Sequence, residues 1–222
     1  MSEKIRVADG VDGELATPPG DGVVPGLIIV HESFGITDQV RALCDRFAAE
    51  GYLALAPDLY HGETATNAEE ASRLMQRLST TEAMQDVAAA MIRLEQDARC
   101  NGRIGIVGFC MGGAMAFAAA TSIEGLRAAV PFYGIPIPGY FEASKVKCPI
   151  QAHFAQRDEW ATPARAQKFQ SEVQVHGGEM ELHVYDAGHA FMRDGDQRTY
   201  DAKAAQEAWA RALAYLASKL QG

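Results

Sequence analysis

Gly108-Phe109-Cys110-Met111-Gly112-Gly113 sets a cysteine between two glycines, after the apolar run Ile104 to Val107 and before an Ala-rich stretch. A strand that turns sharply into a helix strains the residue at the turn and crowds the positions two before and two after it. Glycine fills those positions without a clash. Such a turn would lift the Cys110 thiol above a sheet edge and aim a helix N-terminus at it, and that positive dipole end favours a thiolate. Free cysteines are also common as buried hydrophobes, and glycine-rich strand–helix turns also bind phosphates. Neither a G-x-G-x-x-G nor a Walker lysine accompanies this one.

Two more groups follow in the chain order that a nucleophile, an acid and a histidine take on such a scaffold. Pro149 to Ala155 reads as a strand with Asp158 just beyond it, and Met180 to Asp186 as the next, with His189 just past. Cys110, Asp158 and His189 thus each follow the C-terminal end of a predicted parallel strand, the edge where open α/β sheets place ligands. Another strand, Leu27 to Val30, ends in His31-Glu32-Ser33-Phe34-Gly35. A loop there and the residue after the nucleophile are the usual sources of oxyanion-hole N–H groups, here Ser33 and Met111. Glu32 is out of place beside an apolar strand unless it has a partner; the other reading is an exposed loop acid.

The elements that must position these residues alternate. Asp9-Gly10 and Asp12-Gly13 suggest a hairpin between Lys4 and Thr17. The continuous apolar run Leu27 to Val30 fits a strand buried on both faces. Helical periodicity spans Asp38 to Glu50, then a strand Leu53 to Ala56, a long helical region Ala68 to Ala98, and a strand Arg103 to Phe109. A helix Met111 to Ala120, a strand Leu126 to Phe132, and helices Pro163 to Val175 and Thr199 to Leu220 complete the pattern. Strands alternating with helices read as one mostly parallel sheet flanked by helices. Neither a linker nor a repeat divides residues 1–222, so one domain is expected.

Composition narrows the function. The 222 residues carry 20 Lys and Arg against 29 Asp and Glu, a net charge of −9. An acidic surface repels phosphate backbones, which argues against nucleic acid or an anionic membrane as the partner. Cys44, Cys100, Cys110 and Cys148 show neither disulfide nor zinc spacing, and His31, His61, His153, His176 and His183 do not converge, so no metal and no cofactor are expected. The N-terminus lacks a signal-peptide core, and a cytoplasmic protein, monomeric or weakly self-associating, is the expectation.

Taken together, His31-Glu32-Ser33-Phe34-Gly35, Ala56-Pro57-Asp58-Leu59-Tyr60, the Cys110 turn, Pro131-Phe132-Tyr133-Gly134, Asp158 and Gly188-His189-Ala190-Phe191 resemble the dienelactone hydrolase family of α/β-hydrolases. They run in the family's order from Leu27 to Arg193. The resemblance implies a carboxylic ester hydrolase opening a small enol-lactone, of the dienelactone-to-maleylacetate type. Cys110 would be the nucleophile, His189 the base, Asp158 the group orienting it, and Glu32 an aid to thiol deprotonation when substrate binds, with a thioester acyl-enzyme between the two half-reactions. It also implies an anionic substrate anchored by Arg193, with Phe34 and Tyr133 as pocket walls. The family's second binding arginine has no clear counterpart; Arg73 and Arg77 lie near the expected place. A relative acting on a different small ester or thioester, and a non-catalytic ligand-binding or redox-sensing thiol protein on the same scaffold, are the alternatives.

Overall fold

Asp9 and Gly10 close the first hairpin, with Gly10 at φ 77° in the left-handed region that such a turn requires. Its arms are β1 (Glu3–Ala8) and β2 (Val11–Ala16), paired antiparallel. The second Asp-Gly pair is not a turn, because Asp12 and Gly13 lie inside β2. The protein is described here by a computed structural model covering residues 1–221.

β3 (Val24–Val30) starts before the expected Leu27. Its pairing with Cys100–Phe109 slips where Val24 meets Cys100 and Gly26 meets Ile104, so the extra residues bulge from the partner strand, with Gly102 at φ 76°. β4 (Leu53–Pro57), β5 (Cys100–Phe109), β6 (Leu126–Phe132), β7 (Ile150–Ala155) and β8 (Met180–Tyr185) complete one sheet. The strand order is β1-β2-β4-β3-β5-β6-β7-β8, and every pair from β4 to β8 is parallel.

The helices are α1 (Asp38–Ala49), α2 (Ala68–Arg77), α3 (Thr80–Glu95), α4 (Met111–Ser122), α5 (Pro163–Val175) and α6 (Ala202–Leu220). The region expected as one helix from Ala68 to Ala98 is two. Leu78 and Ser79 are extended, and the Ser79 hydroxyl accepts from the Glu82 amide at 3.3 Å, so Ser79 caps a new helix. Right-handed crossovers put α1 on one face of the sheet and α3, α4 and α5 on the other. α6 joins the α1 layer, where Trp209 packs on Phe47 with 4.4 Å between ring centroids. α4 is buried on all sides, as its lack of charged residues requires.

The chain moves outward from β3 to β4 and then back past it to β5, so the strand order reverses between β3 and β5. A crevice at the carboxyl ends of strands at such a reversal is the site the fold itself provides. No helix among the described residues is long and apolar enough to cross a membrane.

Candidate active site

Cys110 joins β5 to α4 with φ 54° and ψ −113°, a conformation that costs free energy and persists only where the surroundings enforce it. They do so through close approach. A Cβ on Gly108 would lie 1.9 Å from the Gly112 carbonyl oxygen, and one on Gly112 would lie 2.2 Å from the Val30 oxygen of the neighbouring strand. Both glycines are therefore fixed by backbone contact.

The other groups arrive at the same edge. Asp158 follows β7 and is buried; its Oδ1 accepts from the Trp160 and Ala161 amides at 2.9 and 2.8 Å. Its Oδ2 lies 2.6 Å from His189 Nδ1, and His189 Nε2 lies 3.3 Å from Cys110 Sγ. Burial works against the Asp158 carboxylate, but His189 and the two amides hold its pKa below the usual range. Burial also disfavours a charged His189, yet hydrogen bonds to Asp158 and Cys110 and the charge of both raise it to about 10. The thiol, imidazole and carboxylate thus form one hydrogen-bonded line at the carboxyl ends of β5, β8 and β7.

Glu32 follows β3 and is buried with partners. Tyr133, past the end of β6, donates its hydroxyl to Oε1 at 3.3 Å; Arg193 donates Nε to Oε2 at 2.8 Å, and its Nη2 also bonds Oε2. No hydrogen bond joins Glu32 to Cys110 among the described residues. Arg193 stacks over Phe34, 4.9 Å from the ring centroid. Phe34 and Arg193 border a cavity of about 400 Å³ whose apolar side includes Ile29, Val40, Leu43 and Phe109. Tyr133 is fully buried and strained, at φ 35°; it holds Glu32 and lies edge-on to His189 at 5.1 Å between centroids, away from the open cavity.

Ser33 and Met111 come together through Tyr60, whose hydroxyl lies 3.2 Å from the Ser33 carbonyl oxygen and 3.1 Å from Met111 Sδ. Beneath them, buried His31 places Nδ1 2.7 Å from the Glu32 carbonyl oxygen and accepts the Leu59 amide on Nε2 at 3.2 Å, which makes it the neutral Nδ1–H tautomer. Arg73 and Arg77 are not brought to this edge: both sit on α2, and Arg77 pairs with Glu63. Two residues with contacts here have no catalytic signature in the sequence. Tyr60 is one; its place after β4 was the available signal. The other is Trp160, whose indole stands edge-on to His189 at 5.6 Å between centroids.

The arrangement can support nucleophilic attack by sulfur with proton transfer through an oriented imidazole. Comparisons with known proteins point to a family of hydrolases. The profile of the dienelactone hydrolase family matches residues 11–220. A relative named "Protein usf" from Aquifex pyrophilus is 32% identical over 214 residues, 92% of each chain. One named "Probable 2-oxo-3-(5-oxofuran-2-ylidene)propanoate lactonase" from Bradyrhizobium sp is 31% identical over 233 residues, 96% of this chain and 93% of the relative. Among solved structures, a dienelactone hydrolase-like promiscuous phosphotriesterase from metagenomic libraries superposes with a TM-score of 0.88 at 21% identity, over 99% of this chain and 98% of that one.

Proposed function

The chain belongs to the dienelactone hydrolase family, hydrolases of lactone and ester bonds, and from that premise we propose that it opens a small lactone through a Cys110 thioester. The observation that carries this reading is the line from Cys110 Sγ through His189 to Asp158, at 3.3 and 2.6 Å.

In the proposed cycle, Sγ attacks the carbonyl carbon and the carbonyl electron pair moves to oxygen, facing the Ser33 and Met111 amides. As the intermediate collapses, the ring C–O bond breaks and His189 Nε2 gives its proton to the leaving oxygen. The thioester no longer offers His189 the charge and hydrogen bond of a thiolate, two of the causes that raise its pKa. A neutral imidazole can then take a proton from water, whose oxygen attacks the thioester carbon. As the C–S bond breaks, the proton passes from Nε2 to sulfur and the resting thiol is restored.

Arg193 is the proposed anchor for a substrate carboxylate. Because its guanidinium is held by Glu32, a docking carboxylate would compete with Glu32, and a released Glu32 would assist thiol deprotonation. Substrate-gated activation of that kind would limit oxidation of a resting thiolate. An enol-lactone bearing a carboxylate, of the type the Bradyrhizobium relative's name describes, is the substrate we propose first. The Glu32–Arg193 pairing also favours a second reading: with the Arg193 charge neutralised, the site would suit an uncharged ester.

The test is ultraviolet-monitored hydrolysis of a dienelactone beside its methyl ester, with mass spectrometry of quenched enzyme. Turnover that Cys110→Ala abolishes, and an acyl adduct mapped to Cys110, are expected. Steady turnover by Cys110→Ala would overturn the thioester route.

A further inference from the structure

We infer that Trp160 is a specificity-determining residue that receives the leaving-group half of the substrate and favours alcohols that are aromatic or planar and unsaturated. The inference rests on the proposed cycle, because it uses His189 as the donor to the leaving oxygen. A group protonated by Nε2 has to pass within hydrogen-bond reach of that nitrogen. What surrounds the imidazole therefore decides what the departing alcohol touches.

Two aromatic rings flank it. Tyr133 stands edge-on at 64° and is wholly buried, so it has no surface left for a substrate. Trp160 stands edge-on at 78° and leaves 47% of its surface exposed. It is thus the large apolar surface that lies beside the base and still faces outward.

A lone exposed hydrophobic residue needs no explanation, but this one is held in place. Its amide donates to Asp158 Oδ1 at 2.9 Å, and its carbonyl accepts from Arg165 Nη1 at 3.0 Å. The same backbone that fixes the acid of the triad therefore fixes where the indole is rooted, and an indole has only two side-chain torsions to lose when a ring packs on it. Offset or edge-to-face contact with a planar group adds to the area buried, and an alkyl leaving group gains only the area. Because the Asp158 contacts come from the main chain, changing the side chain leaves them in place.

The experiment compares phenyl acetate with hexafluoroisopropyl acetate, which share an acyl group and differ in the shape of the leaving group, for wild type, Trp160→Ala and Trp160→Phe. Trp160→Ala is expected to lower the ratio of kcat/KM for the phenyl over the fluoroalkyl ester about fivefold to tenfold, and Trp160→Phe to restore most of it. A ratio that stays within about twofold of wild type in Trp160→Ala, with Cys110-dependent hydrolysis intact, overturns the inference alone. Hydrolysis that persists in Cys110→Ala overturns the proposed cycle and the inference with it.

Discussion

Arg193 lies on the carboxylate of Glu32, 161 residues away in the chain, and the two side chains are 18% and 10% exposed. A buried ion pair adds little net stability, but breaking one leaves an uncompensated charge that costs far more. Arg193→Met would leave Glu32 with the Tyr133 hydroxyl as its remaining side-chain partner. A loss of about 3–5 kcal/mol is expected in urea unfolding. Glu32→Gln combined with Arg193→Met should recover most of that loss, since the orphaned charge is gone. A double variant no more stable than Arg193→Met would contradict the pairing.

Tyr60 ties the loop after β3 to the side chain of Met111, the first residue of α4; Ser33 and Met111 are the residues whose amides are proposed to hold the oxyanion. Burial pushes its phenol well above the usual range, so the hydroxyl remains a donor throughout the working pH. Tyr60→Phe removes both contacts and keeps the ring. The expected result is a fall in kcat of about tenfold, less than the roughly hundredfold or more caused by deleting an oxyanion donor outright. KM should change little, because a misplaced hole weakens the transition state more than the bound substrate. Unchanged kcat with raised KM would show that Tyr60 serves binding instead.

These two relationships mark the limit of what the sequence could show. The parallel sheet was legible because uninterrupted apolar runs such as Leu27 to Val30 alternate with helical periodicity, and the Cys110 turn was legible because a sharp turn admits only glycine at Gly108 and Gly112. The chain order of Cys110, Asp158 and His189 then predicted a shared edge, and that is where the three side chains lie. The capping pattern from Ser79 to Glu82 was present too, but the helical periodicity on both sides of it read as continuous. Pairwise choices were not legible. Nothing local says that Glu32 faces Arg193, that Tyr60 reaches Met111 or that Trp160 stands against His189. The first two depend on which loops meet across the β3–β5 reversal, and the third on the pairing of β7 with β8.

Two buried histidines set the acid limit of stability. His31 is enclosed below the Glu32 loop, and His153 lies in the sheet, stacked on Phe132 at 4.4 Å and hydrogen-bonded to Tyr185 and Gln151. Burial lowers the pKa of both, and lowers that of His153 well below its ordinary value. As pH falls below about 6.5, the unfolded chain takes up protons that the folded one cannot, and stability declines by up to about 1.4 kcal/mol per pH unit for each histidine. His61 and His189 work in the opposite direction. His61 is raised by its bond to Asp86 but is half exposed and screened. His189, raised to about 10, gives stability that is complete below about pH 6.5 and declines as pH rises above it. Urea unfolding between about pH 6.5 and 5.0, where the His189 contribution is constant, should therefore show a midpoint that falls with pH. His153→Gln has no imidazole to charge, so its midpoint should fall more gently whatever its stability at the higher pH. Parallel slopes for the two proteins would mean that His153 is already protonated in the fold, or that it stays neutral in both states.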